Sequence, residues 1–144
     1  MSDIFVVGYD GSEAARRALD FAMAKAKAQG GSVLIAHVLE WSPYSFLTPT
    51  ELEERHKRRQ EEMARAEEAI LAPARAAAAG QGVTVDTEIR YGHIADTLGK
   101  IARDKGATQI VLGRDGQSGF GSRVFGSVAG TLVQTAPVPC TIVP

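Results

Sequence analysis

Five short apolar runs separated by stretches of helical periodicity predict an α/β chain: an open parallel sheet with helices on both faces. Two further observations point the same way. The first and fourth runs end in similar turns, G-Y-D-G at residues 8–11 and G-R-D-G at residues 113–116. The loop after the fourth run is long and glycine-rich, where compact domains usually have short connections.

Taken in order, residues 4–8 form a short, partly β-branched apolar run that ends at Asp10-Gly11-Ser12, a strand followed by a helix cap at Ser12. From Glu13 onward Ala15, Leu19, Ala22, Met23 and Ala26 fall on one helical face, and Gly30-Gly31 stops the helix. Residues 32–39 carry Val33, Leu34, Ile35 and Val38 and read as the second strand. Residues 40–49 form a loop with Trp41, Tyr44 and Phe46, rings that either cover a ligand, face a partner or cap the core. A long helix is expected over 50–79, with Leu52, Met63, Ala66 and Ile70 along its apolar side and Pro73 kinking or ending it. Its run of alternating charges, 51–65, suits a solvated face supported by i, i+4 pairs. Residues 83–90 are the third strand, closed by Tyr91-Gly92, and 93–105 the next helix, stopped by Gly106. The strand at 109–113 leads into the glycine loop. Residues 127–135 form the last helix, and 140–143 a strand whose flanking Pro137 and Pro139 suit a sheet edge.

A chain of 144 residues is long enough to bury one full core, and one domain over 1–144 is expected. Sixteen basic and seventeen acidic residues give a formal charge of −1, so no global field favours a nucleic acid or a membrane. The start M-S-D-I-F-V-V-G carries no basic region followed by a long apolar stretch, and Cys140 is the one cysteine, so a cytoplasmic setting without disulfides is expected. Cys140 lies in an apolar run and should pack as a small hydrophobe.

The candidate site is the stretch from Gly113 to Ser127. Phosphate oxygens need donors at close range, and backbone N–H groups reach them most easily where no Cβ intervenes. A helix opening at Ser127 adds its free N–H groups and partial positive charge, and Ser127 itself could cap it. Two familiar phosphate motifs do not fit. Phe125-Gly126 precedes Ser127 where a P-loop needs lysine, and Gly116 and Gly119 lack the spacing of a dinucleotide fingerprint. The spacing present is Gly113, two residues, Gly116, nine residues, Gly126-Ser127.

That spacing, G-x2-G-x9-G-(S/T), resembles the ATP-binding motif of the universal stress protein family, and V-V-G-Y-D-G-S and P-V-P-C-T-I-V resemble its first and last strands. The resemblance implies strand order 3-2-1-4-5, which places the two similar turns side by side at the point where ligands bind in such sheets. It implies an adenine nucleotide ligand (ATP, or AMP or ADP) with Mg²⁺. By the same resemblance Asp10 lies near the ribose and the metal, the backbone of Val38 recognises the adenine edge, and Gly113, Gly116, Gly126 and Ser127 form the ribose-triphosphate cradle, lined by Leu112 and Val128. It also implies a homodimer, for which the C-terminal edge strand is a reasonable pairing surface.

Several positions stay open. Asp10 could act only as a turn residue; Asp115 would repel phosphate unless a metal bridges them, or else pairs with Arg114 or Arg123; and those arginines are either phosphate partners or solvated. Thr108-Gln109 stands where the family often has an Asp-hydrophobic pair. His37 reads as a strand residue, His56 as helix surface and His93 as a helix start. With no catalytic loop, no P-loop lysine and no His-acid pair at informative spacing, binding is better supported than turnover. The expectation is a nucleotide-binding stress-response regulator; a slow Mg²⁺-dependent ATPase using Asp10 or Asp115, and a nucleotide-free interaction protein, are the alternatives.

Overall fold

The computed structural model describes residues 2–40, 48–115 and 127–144. Trp41, Tyr44, Phe46, Gly116, Gly126 and Arg123 therefore lie outside the described residues. Strands β1 (Ile4–Gly8), β2 (Ser32–Glu40), β3 (Thr84–Gly92), β4 (Gln109–Gly113) and β5 (Cys140–Val143) form one parallel sheet in the order β3-β2-β1-β4-β5. The chain moves outward from β1 through β2 to β3, then crosses back to β4, so the order reverses between β1 and β4. Helices α1 (Glu13–Gln29), α2 (Pro49–Ala66), α3 (Ala72–Ala78), α4 (Ile94–Lys105) and α5 (Ser127–Thr135), with a π turn between α2 and α3, make up the rest of the regular structure among the described residues.

Alternation along the strands divides the core in two. Phe5, Val7, Val33, Ile35 and Val111 point to one face and pack with α1 and α3. Val6, Leu34, Ala36, Ile110 and Leu112 point to the other and pack with α4 and α5, where Cys140 joins as a half-buried hydrophobe whose thiol burial pushes its pKa up. The caps follow the sequence: Ser12 Oγ accepts from Ala15 N at 3.1 Å, and Gly30 and Gly106 end α1 and α4 in the left-handed region, φ 74° and 63°.

The region from Thr48 onward departs from the sequence expectation. Thr48 caps α2, which starts at Pro49, and the break expected near Pro73 takes the form of a π turn over Glu67–Leu71 before α3. Pro73 supplies the physical reason. It has no N–H for the carbonyl four residues back and its ring crowds that carbonyl. The wider turn, in which Ala72 N–H bonds to Glu67 O, gives the chain room to continue. The extra residue shifts the inward face: Ala66, Leu71, Ala74 and Ala78 are buried, Ile70 is only half-buried, and Leu52 and Met63 are exposed rather than part of an apolar seam. The charged run is a solvated face, as its pattern predicts.

Helix α2 is nevertheless held over the end of β3. The Tyr91 hydroxyl lies 3.0 Å from both Arg59 O and Glu62 Oε2, and the Arg59 guanidinium stands 5.2 Å from the centre of the Tyr91 ring. Burial and the Glu62 carboxylate push the Tyr91 phenol up to about 12 from its ordinary 10.0. Because the fold favours the protonated phenol, this contribution to stability is present below about pH 10 and is lost as pH rises through about 12. An absorbance titration of phenolate formation should show one late step, and Tyr91→Phe should remove it; a wild-type titration without that step would contradict the contact.

Candidate functional site

The carboxyl ends of β1, β2 and β4 enclose a cleft of about 470 Å³, within the range of small-molecule sites. It opens where the strand order reverses, because β1 and β4 lead into connections on opposite sides and leave a crevice between them. Asp10, Val38, Leu112, Gly113, Arg114, Ser127 and Val128 all line it. The topology thus joins residues from three strands and the start of α5, while Gly116 and Gly126 fall outside the described residues.

Each wall has a local origin. After Gly8 the chain turns away, and Asp10 Oδ1 accepts from Ser12 N at 2.9 Å, which fixes the turn into α1. Asp10 is therefore a turn residue and also a carboxylate in the cleft. Gly113 lines the cleft too, but it has a packing role: a Cβ there would lie 2.6 Å from Ala14 C, so β4 and the first turn of α1 meet only because this position lacks a side chain. Ser127 is the first residue of α5, so it brings a helix start to the cleft.

Charge in the cleft is mixed. Arg114 Nη2 stands 3.7 Å from Asp115 Oδ2, and Asp115 Oδ1 is buried with no hydrogen-bond partner among the described residues. An oxygen left so is suited to a cation or a donor brought by a ligand. Among the described residues no group of three or more His, Cys, Asp or Glu side chains could hold a metal alone. Mg²⁺ commonly binds one or two carboxylates plus ligand phosphates, and Asp10 and Asp115 are carboxylates of the kind that could share such a metal with a phosphate-bearing ligand.

Val38 supplies a different kind of contact. On β2 the even-numbered residues turn their peptide groups toward β1: Ser32 N bonds to Asp3 O and Tyr9 N to Ala36 O, both at 2.8 Å. Val38 is next on that side, and β1 has ended. Its N–H and C=O therefore face the crevice side by side. His37, which the sequence marked only as a strand residue, is 8% exposed, and its Nδ1 lies 2.7 Å from Tyr9 O. Gly8 and Tyr9 of the first G-Y-D-G turn line the cleft as well, and so do Ala36, His37, Ile94 and Leu98, which the sequence reading did not place in the site.

A family model described as the universal stress protein family matches residues 1–144. The chain belongs to that family. It is 34% identical over 146 residues to the Thermus aquaticus "Universal stress protein in QAH/OAS sulfhydrylase 3'region", with 99% of each covered. Among solved structures it resembles universal stress protein UspA from Lactobacillus plantarum, with a TM-score of 0.84 at 24% identity over 99% of this chain and 97% of that one. It also shares the fold of a universal stress protein in complex with cAMP (TM-score 0.68, 23% identity, 99% and 97% covered) and of one from Archaeoglobus fulgidus in complex with dAMP (0.64, 20%, 100% and 98%). No helix among the described residues of this universal stress protein is long and apolar enough to cross a membrane.

Proposed function

We propose that this universal stress protein binds an adenine nucleotide, ATP with Mg²⁺, in the cleft between β1 and β4 and acts as a regulatory switch. The observation that carries the reading is the cleft's combination of an unpaired peptide edge at Val38 with carboxylates and a helix start at its other side. A base needs a donor and an acceptor in line, and a polyphosphate needs N–H groups and a cation. The complexes of related folds with cAMP and dAMP support the base and ribose half of this assignment. The Gly113, Gly116, Gly126, Ser127 spacing supports the phosphate half. In this reading Asp10 holds ribose hydroxyls and the metal, Leu112 and Val128 enclose the ribose, and Arg114 meets phosphate. Binding carries information only if two states of the protein differ in affinity.

The test is to denature protein purified without added nucleotide, identify released small molecules by mass spectrometry, and titrate ATP and Mg²⁺ into wild type and Gly116→Val. ATP should bind wild type and fail to bind the valine variant at unchanged thermal stability. No released nucleotide and no binding to wild type would overturn the reading.

The same reading includes a homodimer through β5. Pro139 O and Val143 O accept from Ile110 N and Arg114 N on β4, so the alternate residues Cys140 and Ile142 direct their peptide groups to the outer edge. Ile142→Pro removes an outward donor while leaving the β4 ladder intact. Sedimentation should show the variant shifted toward monomer; an unshifted dimer would place the interface elsewhere.

A further inference from the structure

We propose that His37 is a positioning residue that keeps the Val38 peptide edge open for a base, and so sets adenine preference. This rests on the cleft being a nucleotide site. In a parallel ladder the acceptor after Tyr9 N→Ala36 O is Tyr9 O, and its regular partner would be Val38 N. That bond is not made. Tyr9 O accepts instead from the His37 side chain at 2.7 Å. A carbonyl oxygen is only an acceptor, so Nδ1 carries the proton and the ring is held in one tautomer. The side chain thereby ends the β1–β2 ladder one bond early.

The consequence lies one residue along the strand. With Tyr9 O occupied, Val38 N–H and C=O both remain for a ligand. Adenine offers an amino donor beside a ring-nitrogen acceptor, which matches a peptide C=O and N–H; guanine has a carbonyl where adenine has its amino group. Without the histidine donor, Tyr9 O is a half-buried acceptor in need of a partner, and Val38 N–H is the one next in ladder register. The ladder would close by one bond and withdraw the donor that reads the base.

Three substitutions separate this role from packing. His37→Phe keeps an aromatic ring and loses the donor. His37→Asn places an amide N–H near the Nδ1 position, and His37→Gln places it near the Nε2 position, out of reach of Tyr9 O. Without ligand, amide exchange at Val38 read by NMR should be fast in wild type and Asn, and slowed in Phe and Gln. In titrations with Mg²⁺-ATP and Mg²⁺-GTP, the Phe and Gln variants should lose about tenfold in ATP affinity, one hydrogen bond's worth, with the ATP-to-GTP ratio falling toward one. The Asn variant should keep the wild-type ratio. Affinity for inorganic tripolyphosphate should be the same in all four proteins. Should Phe not fold, the contrast between Asn and Gln decides. Val38 exchange and base preference unchanged in Gln would overturn the inference alone. A wild type that binds no adenine nucleotide would overturn the proposed function as well, and the ligand-free exchange result distinguishes the two failures.

Discussion

Gly113→Val should destabilise the protein by about 3 kcal/mol, lowering its melting temperature by roughly 6–12 °C for a chain of this size. A Cβ at this position would stand 2.6 Å from Ala14 C, 2.7 Å from Ala14 O and 2.8 Å from Ala14 Cβ. The first two are backbone atoms at the start of α1, which cannot rotate aside as a side chain would. Relief requires α1 to slide away from β4, and α1 carries seven buried residues, five of them in the core shared with Phe5 and Val7. Gly113→Ala introduces the same Cβ and should carry most of the cost. Denaturant unfolding checks both; an alanine variant as stable as wild type would mean that β4 and α1 do not meet so closely. Nucleotide binding by these variants is informative only below their unfolding transition, since the strain acts on the same turn that lines the cleft.

Leu71→Ala should cost about 2–5 kcal/mol, whereas Ile70→Ala should cost only about 1 kcal/mol. Leu71 is fully buried against the sheet, and Ile70, its neighbour, is half-buried. In an unbroken α-helix continuing from Ala66, residue 70 would share Ala66's face and the ranking would reverse. The pair of variants therefore reads the phase of the helix after the π turn. Equal losses, or a larger loss at Ile70, would show that the turn does not re-phase it.

These two sites mark the boundary of what the sequence could say. Strand and helix existence was legible because each element carries its own signal: β-branched runs at 4–8 and 109–113, the cap at Ser12, the stops at Gly30 and Gly106. The strand order 3-2-1-4-5 was not in the periodicity and entered through the family resemblance. Leu71 was missed because a π turn adds one residue without changing composition, and the expected face was counted with an unbroken helical period. Thr84–Gly92 runs two residues past the expected strand because Tyr91 and Gly92 pair with Leu39 and Glu40, a contact between distant segments. In the site, Asp10 and Ser127 stood out through a strand-end turn and the glycine spacing, whereas Val38 entered only through the family resemblance. His37 did neither, since its role depends on where a different strand ends.

The Tyr91 contact has one more consequence. Between Glu51 and Arg65 no side chain of α2 is fully buried, and Tyr91 ties this stretch to the end of β3. With so little of its surface buried, this stretch is expected to open at a lower free energy than the sheet. Brief trypsin treatment should therefore nick the chain among Arg55, Lys57, Arg58 and Arg65 while the two cores stay intact. Cleavage there ahead of the cores would make the segment a separate unit of opening, preceded in the chain by β2, whose end lines the cleft. A ligand or partner that engages it can act there without competing against the stability of the whole fold.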